Sequence, residues 1–177
     1  VVGGVAFLAD FPTTPGCFSP ASNGSADVFV TRLDPTGRFL EWSTYLGGAG
    51  SEEALGVALD EDENVTLIGY TPSKDFPTTP GAFQTQYSPG FPGGTEAFVT
   101  RLSAGGDALI WSTYLGGHGD DVATSVALEP GGGVVVAGET RAADFPTTPG
   151  AVETTFLPQY QMHWGDAFVT RLDPDAS

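Results

Sequence analysis

The feature that most constrains this chain is an internal repeat with a period of 69 residues. Val28-Phe-Val-Thr-Arg-Leu33 returns as Ala97-Phe-Val-Thr-Arg-Leu102 and again as Ala167-Phe-Val-Thr-Arg-Leu172. Trp42-Ser-Thr-Tyr-Leu-Gly-Gly48 returns at 111–117, and Asp10-Phe-Pro-Thr-Thr-Pro-Gly16 returns at 75–81 and 144–150. Residues 27–83 align without gaps on 96–152, and half of the positions are identical. A repeat of this length means one supersecondary unit that cannot bury its apolar surface alone and must stack on its neighbours.

Four strand-like runs fill one period. In the first, Val28–Leu33, alternation places Phe29, Thr31 and Leu33 on one face; in the second, Leu40–Leu46, it groups Leu40, Trp42, Thr44 and Leu46. The third groups Leu55, Val57 and Leu59, and the fourth, Val65–Thr71, is rich in Val, Leu and Ile. Asp34-Pro-Thr-Gly37 is a turn, because Pro fixes φ and Gly frees it, and Asp60-Glu-Asp-Glu-Asn64 is a second hairpin link. The 25 Gly and 14 Pro punctuate the chain too often for long helices. These patterns predict an all-β chain of β-propeller blades, each a four-stranded antiparallel sheet.

The expected division is 1–26 as the end of a preceding blade with its linker, then 27–95 and 96–165 as blades with linkers. Residues 166–177 are then the first strand of a further blade. Val1–Ala6 match the end of a fourth strand, as at Val135–Thr140, and Asp166–Asp173 match a first strand. The excess over an ordinary blade, about Pro72 to Thr95, is read as the connection between blades, with Phe11, Phe76 and Phe145 plugging between neighbours. Gly69 and Gly138 are read as letting packed sheets approach. Two full blades cannot close a ring. The chain, which starts at Val1, is therefore expected to be an open fragment of a larger propeller, either cut from a longer polypeptide or completed by other chains.

The combination of Phe29-Val-Thr-Arg-Leu-Asp-Pro-Thr-Gly37, Trp42-Ser-Thr-Tyr-Leu-Gly-Gly48, Val57-Ala-Leu-Asp60 and Asp75-Phe-Pro-Thr-Thr-Pro-Gly-Ala-Phe-Gln-Thr85 resembles the bacterial SBBP β-propeller repeat proteins. The resemblance covers nearly the whole chain. It implies a secreted or cell-surface bacterial protein, a complete propeller of about seven blades, and no set of active-site residues to transfer.

Charge narrows the partners. With 22 acidic against 6 basic residues and a net charge of -16, the chain lacks the clustered cations that nucleic acid or an anionic membrane requires, and no apolar run is long enough to span a bilayer. The expected partners are other protein chains or further blades, with glycans as the alternative. No cofactor is expected. Calcium is the one ion considered, at Asp60–Asn64 and Gly117-His-Gly-Asp-Asp121, neither of which has EF-hand spacing.

Catalysis is not expected. Only His118 and His163 are available; His118 replaces Ala49 of the aligned copy, and Ser43, Thr44 and Tyr45 recur within a strand. Binding is sought instead in the variable loops, at Cys17–Ser25, Gln84–Pro92 and Phe156–Trp164. The last carries Phe156, Tyr160, His163 and Trp164, aromatic groups suited to a sugar platform or a protein contact. Cys17, without a partner for a disulfide, stands where the other copies have Ala82 and Ala151 and is read as a small buried side chain, the alternative being an exposed thiol that links to another chain or a lipid. The expected function is a non-catalytic extracellular scaffold for structural or adhesive protein contacts; the alternative is a glycan- or calcium-dependent binding propeller.

Overall fold

The computed structural model describes residues 1–156 and 165–176, and within them every regular element is a strand. In chain order these are β1 (Val2–Ala6), β2 (Asp27–Leu33), β3 (Leu40–Leu46), β4 (Glu53–Leu59), β5 (Val65–Thr71), β6 (Glu96–Leu102), β7 (Leu109–Leu115), β8 (Asp121–Leu128), β9 (Val134–Thr140) and β10 (Asp166–Leu172). All pair antiparallel, in three sheets: β1-β2-β3, β4-β5-β6-β7 and β10-β9-β8.

The strands fall where alternation places them, but the sheets do not follow the expected division. Grouping 27–95 would join β3 to β4, and grouping 96–165 would join β7 to β8; neither pair shares a sheet. Instead β5 pairs with β6 along its whole length, from Val65 opposite Leu102 to Thr71 opposite Glu96, so the expected boundary at 95/96 lies inside the middle sheet. In the same way β1 pairs with β2 and β10 with β9. The chain crosses between sheets at the short links Gly47–Glu52 and Gly116–Asp120. The long segment from Pro72 to Thr95 joins two neighbours of one sheet and is not the connection between sheets.

That long segment has a physical task. Thr79 N–H donates to the Ser112 carbonyl and Tyr114 N–H to the Gln84 carbonyl, so the loop runs along the outer edge of β7 and satisfies its free backbone groups. The first copy repeats the arrangement on β3, through Thr14 to Ser43 and Tyr45 to Ser19. An uncovered edge strand is a template for unwanted pairing, and here the loop removes it.

The motif phenylalanines pack on the phenylalanines of Phe-Val-Thr-Arg-Leu: Phe11 on Phe29 at 4.2 Å between ring centroids, Phe76 on Phe98 at 4.7 Å, and Phe145 on Phe168 at 4.5 Å. Phe76 thereby joins the apolar cluster between the first and middle sheets, with Val28, Val30, Leu46, Val65 and Leu67. The glycines opposite these rings correct the sequence reading. Gly4 pairs with Phe29 and Gly138 with Phe168, and a Cβ on either would lie within 3 Å of that ring. Gly69 and Gly138, expected to let packed sheets approach, instead lie against the neighbouring strand of their own sheet, where a Cβ would strike the Glu53 and Val122 carbonyls. Gly4 and Gly138 also leave room for the cross-strand ring.

Bulges interrupt the ladders at matching places in both copies. The shift between Ala54 and Gly56 leaves Leu55, Val57 and Leu59 exposed together, as alternation places them, and the shift between Arg32 and Leu33 brings Leu33 opposite Leu40. The middle sheet is covered on both faces. Its second face, with Ile68, Ala97, Val99, Trp111 and Leu115, packs on Ala123, Val134, Val136, Phe168 and Leu172 of the third sheet.

The two joints between sheets use one device. Trp42 Nε1 donates to the Ala104 carbonyl and Trp111 Nε1 to the Pro174 carbonyl, each at 2.8 Å. In both cases a Trp of the preceding sheet's outer strand reaches the turn after the next sheet's third strand. The same contact thus links sheet to sheet at both joints.

Candidate functional site at the loop end of the sheets

The two ends of the stack differ in kind. One carries the hairpin turns, such as Asp34–Gly37 and Asp60–Asn64, closed by their own hydrogen bonds and touched by the connecting loops at Phe18 and Phe83. The other gathers the crossings between sheets and, among the described residues, the ends of the long loops that follow β5 and β9. A rigid sheet presenting variable loops at one end is the usual layout of a binding surface.

At that end an open cleft of about 230 Å³ is lined by Phe83, Gln84, Ser88, Gly116, Gly117, His118, Asp144 and Pro146. It brings together three residues that lie far apart in sequence. Ser88 Oγ lies 3.5 Å from His118 Nε2, and His118 Nδ1 lies 2.5 Å from Asp144 Oδ2. The order nucleophile, base, orienter is that of a hydrolytic triad, which no sequence motif signalled.

The surroundings argue against acyl transfer. An oxyanion needs free backbone donors aimed at the reacting carbon. Here Ser88 N–H donates to Glu96, Gly116 N–H to Gln84, Gly117 N–H to Asp121 and His118 N–H to Asp144. Asp144 has a structural task, since Asp75 accepts the N–H of Ala49 in the same way in the earlier copy. Those bonds from the His118 backbone and ring hold the Asp144 carboxyl below its ordinary range. His118 and Asp144 are both more than half exposed, where a triad would be sheltered.

Beneath the loops lie buried carboxylates. Glu96 accepts Ser88 N–H at 2.7 Å and the Gln84 side-chain amide at 3.1 Å, tying the 84–88 loop to the sheet. Burial pushes its pKa up to about 7, and burial pushes that of Asp121 up to about 6.

Of the sequence candidates, Phe156 is half-buried in the last connecting loop. Tyr160, His163 and Trp164 lie outside the described residues. Cys17 is half-buried with a free thiol, less enclosed than expected. For calcium, Asp60 is already committed: its carboxylate accepts from Asp62 N, Asn64 N and Asn64 Nδ2 and lies 3.1 Å from Arg101. In the second turn Asp120 accepts from Thr95, and Asp121 from Gly117. Among the described residues no group of three or more His, Cys, Asp or Glu is placed to hold a metal.

Comparison with known proteins adds one distant likeness. An uncharacterized WD repeat-containing protein of Acanthamoeba polyphaga mimivirus is 27% identical over 117 residues, which is 65% of this chain and 8% of that protein. The chain thus spans less than a tenth of the length of the relative it matches. No protein-family model matches the sequence.

Proposed function

We propose that the three sheets are consecutive blades of a β-propeller serving as a non-catalytic scaffold, with the loop end as its protein-contact surface. The observation that carries this reading is the repeated joint, Trp42 to Ala104 and Trp111 to Pro174. A joint that recurs at the same place suits the successive sheets of a propeller, in which each sheet contacts only its neighbours. The WD-repeat likeness supports the same architecture, and with it a role in protein interaction. The SBBP-like motifs and the strong acidity favour a secreted or cell-surface setting in a bacterium.

In this reading Val57 and Leu59 of β4, both over 40% exposed, are the inner-strand residues that a further strand outside β1 would cover. That strand comes from more of the same polypeptide or from another chain. The test is to image the native particle by electron microscopy and to weigh it by light scattering. A ring with a central channel supports the propeller, and an open superhelical stack overturns it. Replacing the exposed Thr85, Gln86, Phe91 and Pro92 by Gly or Ser, with Tyr87 and Ser88 kept, should leave the melting temperature near that of the wild type and abolish attachment of the protein to the cell surface. Unchanged attachment would remove the loop end from the proposal.

A further inference from the structure

We propose that each crossing between sheets is closed by one proton shared within a buried acid pair, so that the joints loosen as pH rises through neutrality. The pairs are Asp27 with Glu52 at the first crossing and Glu96 with Asp121 at the second.

The pairs occupy equivalent places one repeat apart. One carboxyl opens the sheet's third-position strand, β2 or β6, and the other stands at the entry to the next inner strand, before or in β4 and β8. The side chains exchange lengths between copies, Asp with Glu becoming Glu with Asp, so the combined reach of each pair is kept. Both members of each pair are fully or almost fully buried. They converge on the first glycine of Leu-Gly-Gly: Glu52 Oε2 lies 2.5 Å and Asp27 Oδ1 2.7 Å from where a Gly47 Cβ would stand, and Asp121 and Glu96 crowd Gly116 in the same way.

Two adjacent buried carboxylates need a compensating positive charge. Among the described residues no Lys or Arg forms an ion pair with any of the four. The other groups near the second pair are mixed in sign: His118 acts on Glu96, while Asp120 and Asp144 act on Asp121. Tyr87 and Tyr114 stand beside Glu96, and Arg141 is engaged with Asp120. Near the first pair the further charge is Asp75, whose carboxylate approaches Gly48.

Neutral donors satisfy the remaining oxygens. Glu52 accepts from Gly48 N–H and from the hydroxyls of Thr71 and Ser73, and Asp27 Oδ2 accepts from Asn23 N–H. Asp27 Oδ1 and Asp121 Oδ1, both buried, have no hydrogen-bond partner. Asp27 Oδ1 converges with Glu52 Oε2 on Gly47, whereas at Gly116 the converging oxygens are Asp121 Oδ2 and Glu96 Oε2. A proton between the two carboxyl groups fills that gap and removes one of the two charges. The raised pKa of Glu52, Glu96 and Asp121 agrees with this.

The sign follows from linkage. A carboxyl with a raised pKa holds in the folded state a proton that the unfolded chain has released. Its contribution to stability is therefore present at acid pH and lost as pH rises through about 6 to about 7.

The experiment compares the wild type with Asp27→Asn, Asp121→Asn and the double variant. An asparagine amide can donate where the proton stood. Melting temperature is recorded from acid to mildly alkaline pH, with and without calcium chloride, alongside the infrared band of protonated carboxyl groups. The wild type should lose about 5 °C between pH 5.5 and 8, the double variant should lose much less, and the infrared band should shrink in each variant. Equal slopes in wild type and double variant, or no carboxyl band removed by the substitutions, would overturn the proposal. A slope abolished by calcium in the wild type alone would overturn it in favour of a metal ion. If the double variant does not fold, the single variants and the wild-type infrared titration decide by the same criteria.

Discussion

Strands β6 and β10 carry the same run, Ala-Phe-Val-Thr-Arg-Leu, yet they live in different environments. Every residue of β6 is buried, whereas β10 alternates irregularly: Val99 is 0% exposed and its counterpart Val169 is 75%. The cause is position. β6 has paired strands on both sides and sheets against both faces, while β10 pairs with β9 on one side only. The same hexapeptide is thus a core strand in one place and an edge strand in the other. Burial belongs to the stack and not to the repeat.

The sharpest way to break the comparison is to place a charge at the two valines. Val99→Asp should destabilise the chain by more than about 4 kcal/mol and abolish its cooperative urea transition, because the carboxylate has no partner in that interior. Val169→Asp in this 177-residue chain should change the midpoint by less than about 0.5 kcal/mol. A large loss at Val169 would mean that other chain covers β10.

The arginines of the same run extend the contrast. Arg101 is buried, bonds the Gly132 carbonyl, pairs with Asp60 at 3.1 Å and lies 5.9 Å from the Trp111 ring centroid. Arg101→Ala should destabilise by about 3 kcal/mol, chiefly because Asp60 loses its cation and Trp111 its cover. Arg171 pairs with Glu129 and Asp173 in solvent, and Arg171→Ala should leave the denaturation midpoint unmoved.

A smaller effect is expected at the joints. Trp42→Phe and Trp111→Phe each remove one hydrogen bond between sheets and should cost about 1 kcal/mol apiece by chemical denaturation. Equal losses would mean equivalent joints. A much smaller loss at Trp111 would mean that the third sheet is held less firmly than the first.

The smallest effect belongs to the cleft. His118→Ala should shift the melting temperature by less than a degree, since the Asp144 contact to the 118 backbone survives the change. A serine-directed fluorophosphonate should leave Ser88 unlabelled, and labelling that disappears in His118→Ala would reopen the catalytic reading.

Much of the fold is legible in the sequence alone. The repeat, the strand positions and the hairpin turn at Asp34–Gly37 follow from alternation and turn chemistry, which act over a few residues. The role of the motif phenylalanine was only partly legible: aromatic burial could be expected, but not the glycine-backed ring opposite it. The cleft was illegible, because Ser88, His118 and Asp144 come from three separate loops and only loop folding brings them together. The acid pairs left a faint trace, the exchange of Asp27 and Glu52 for Glu96 and Asp121, which means nothing until the two positions are seen to touch Gly47 and Gly116.

What the sequence determined by itself is the period, the strands and the identity of the side chains on most faces, since these depend on neighbours along the chain. What only the tertiary structure decided is how the strands are grouped. In a periodic string of strands any four consecutive ones make an equally plausible sheet, so local pattern cannot set the phase. The phase is set by pairing between distant segments: β5 finds β6 across a long loop, while the crowded, acid-lined crossings at Gly47 and Gly116 send the chain on to the next sheet.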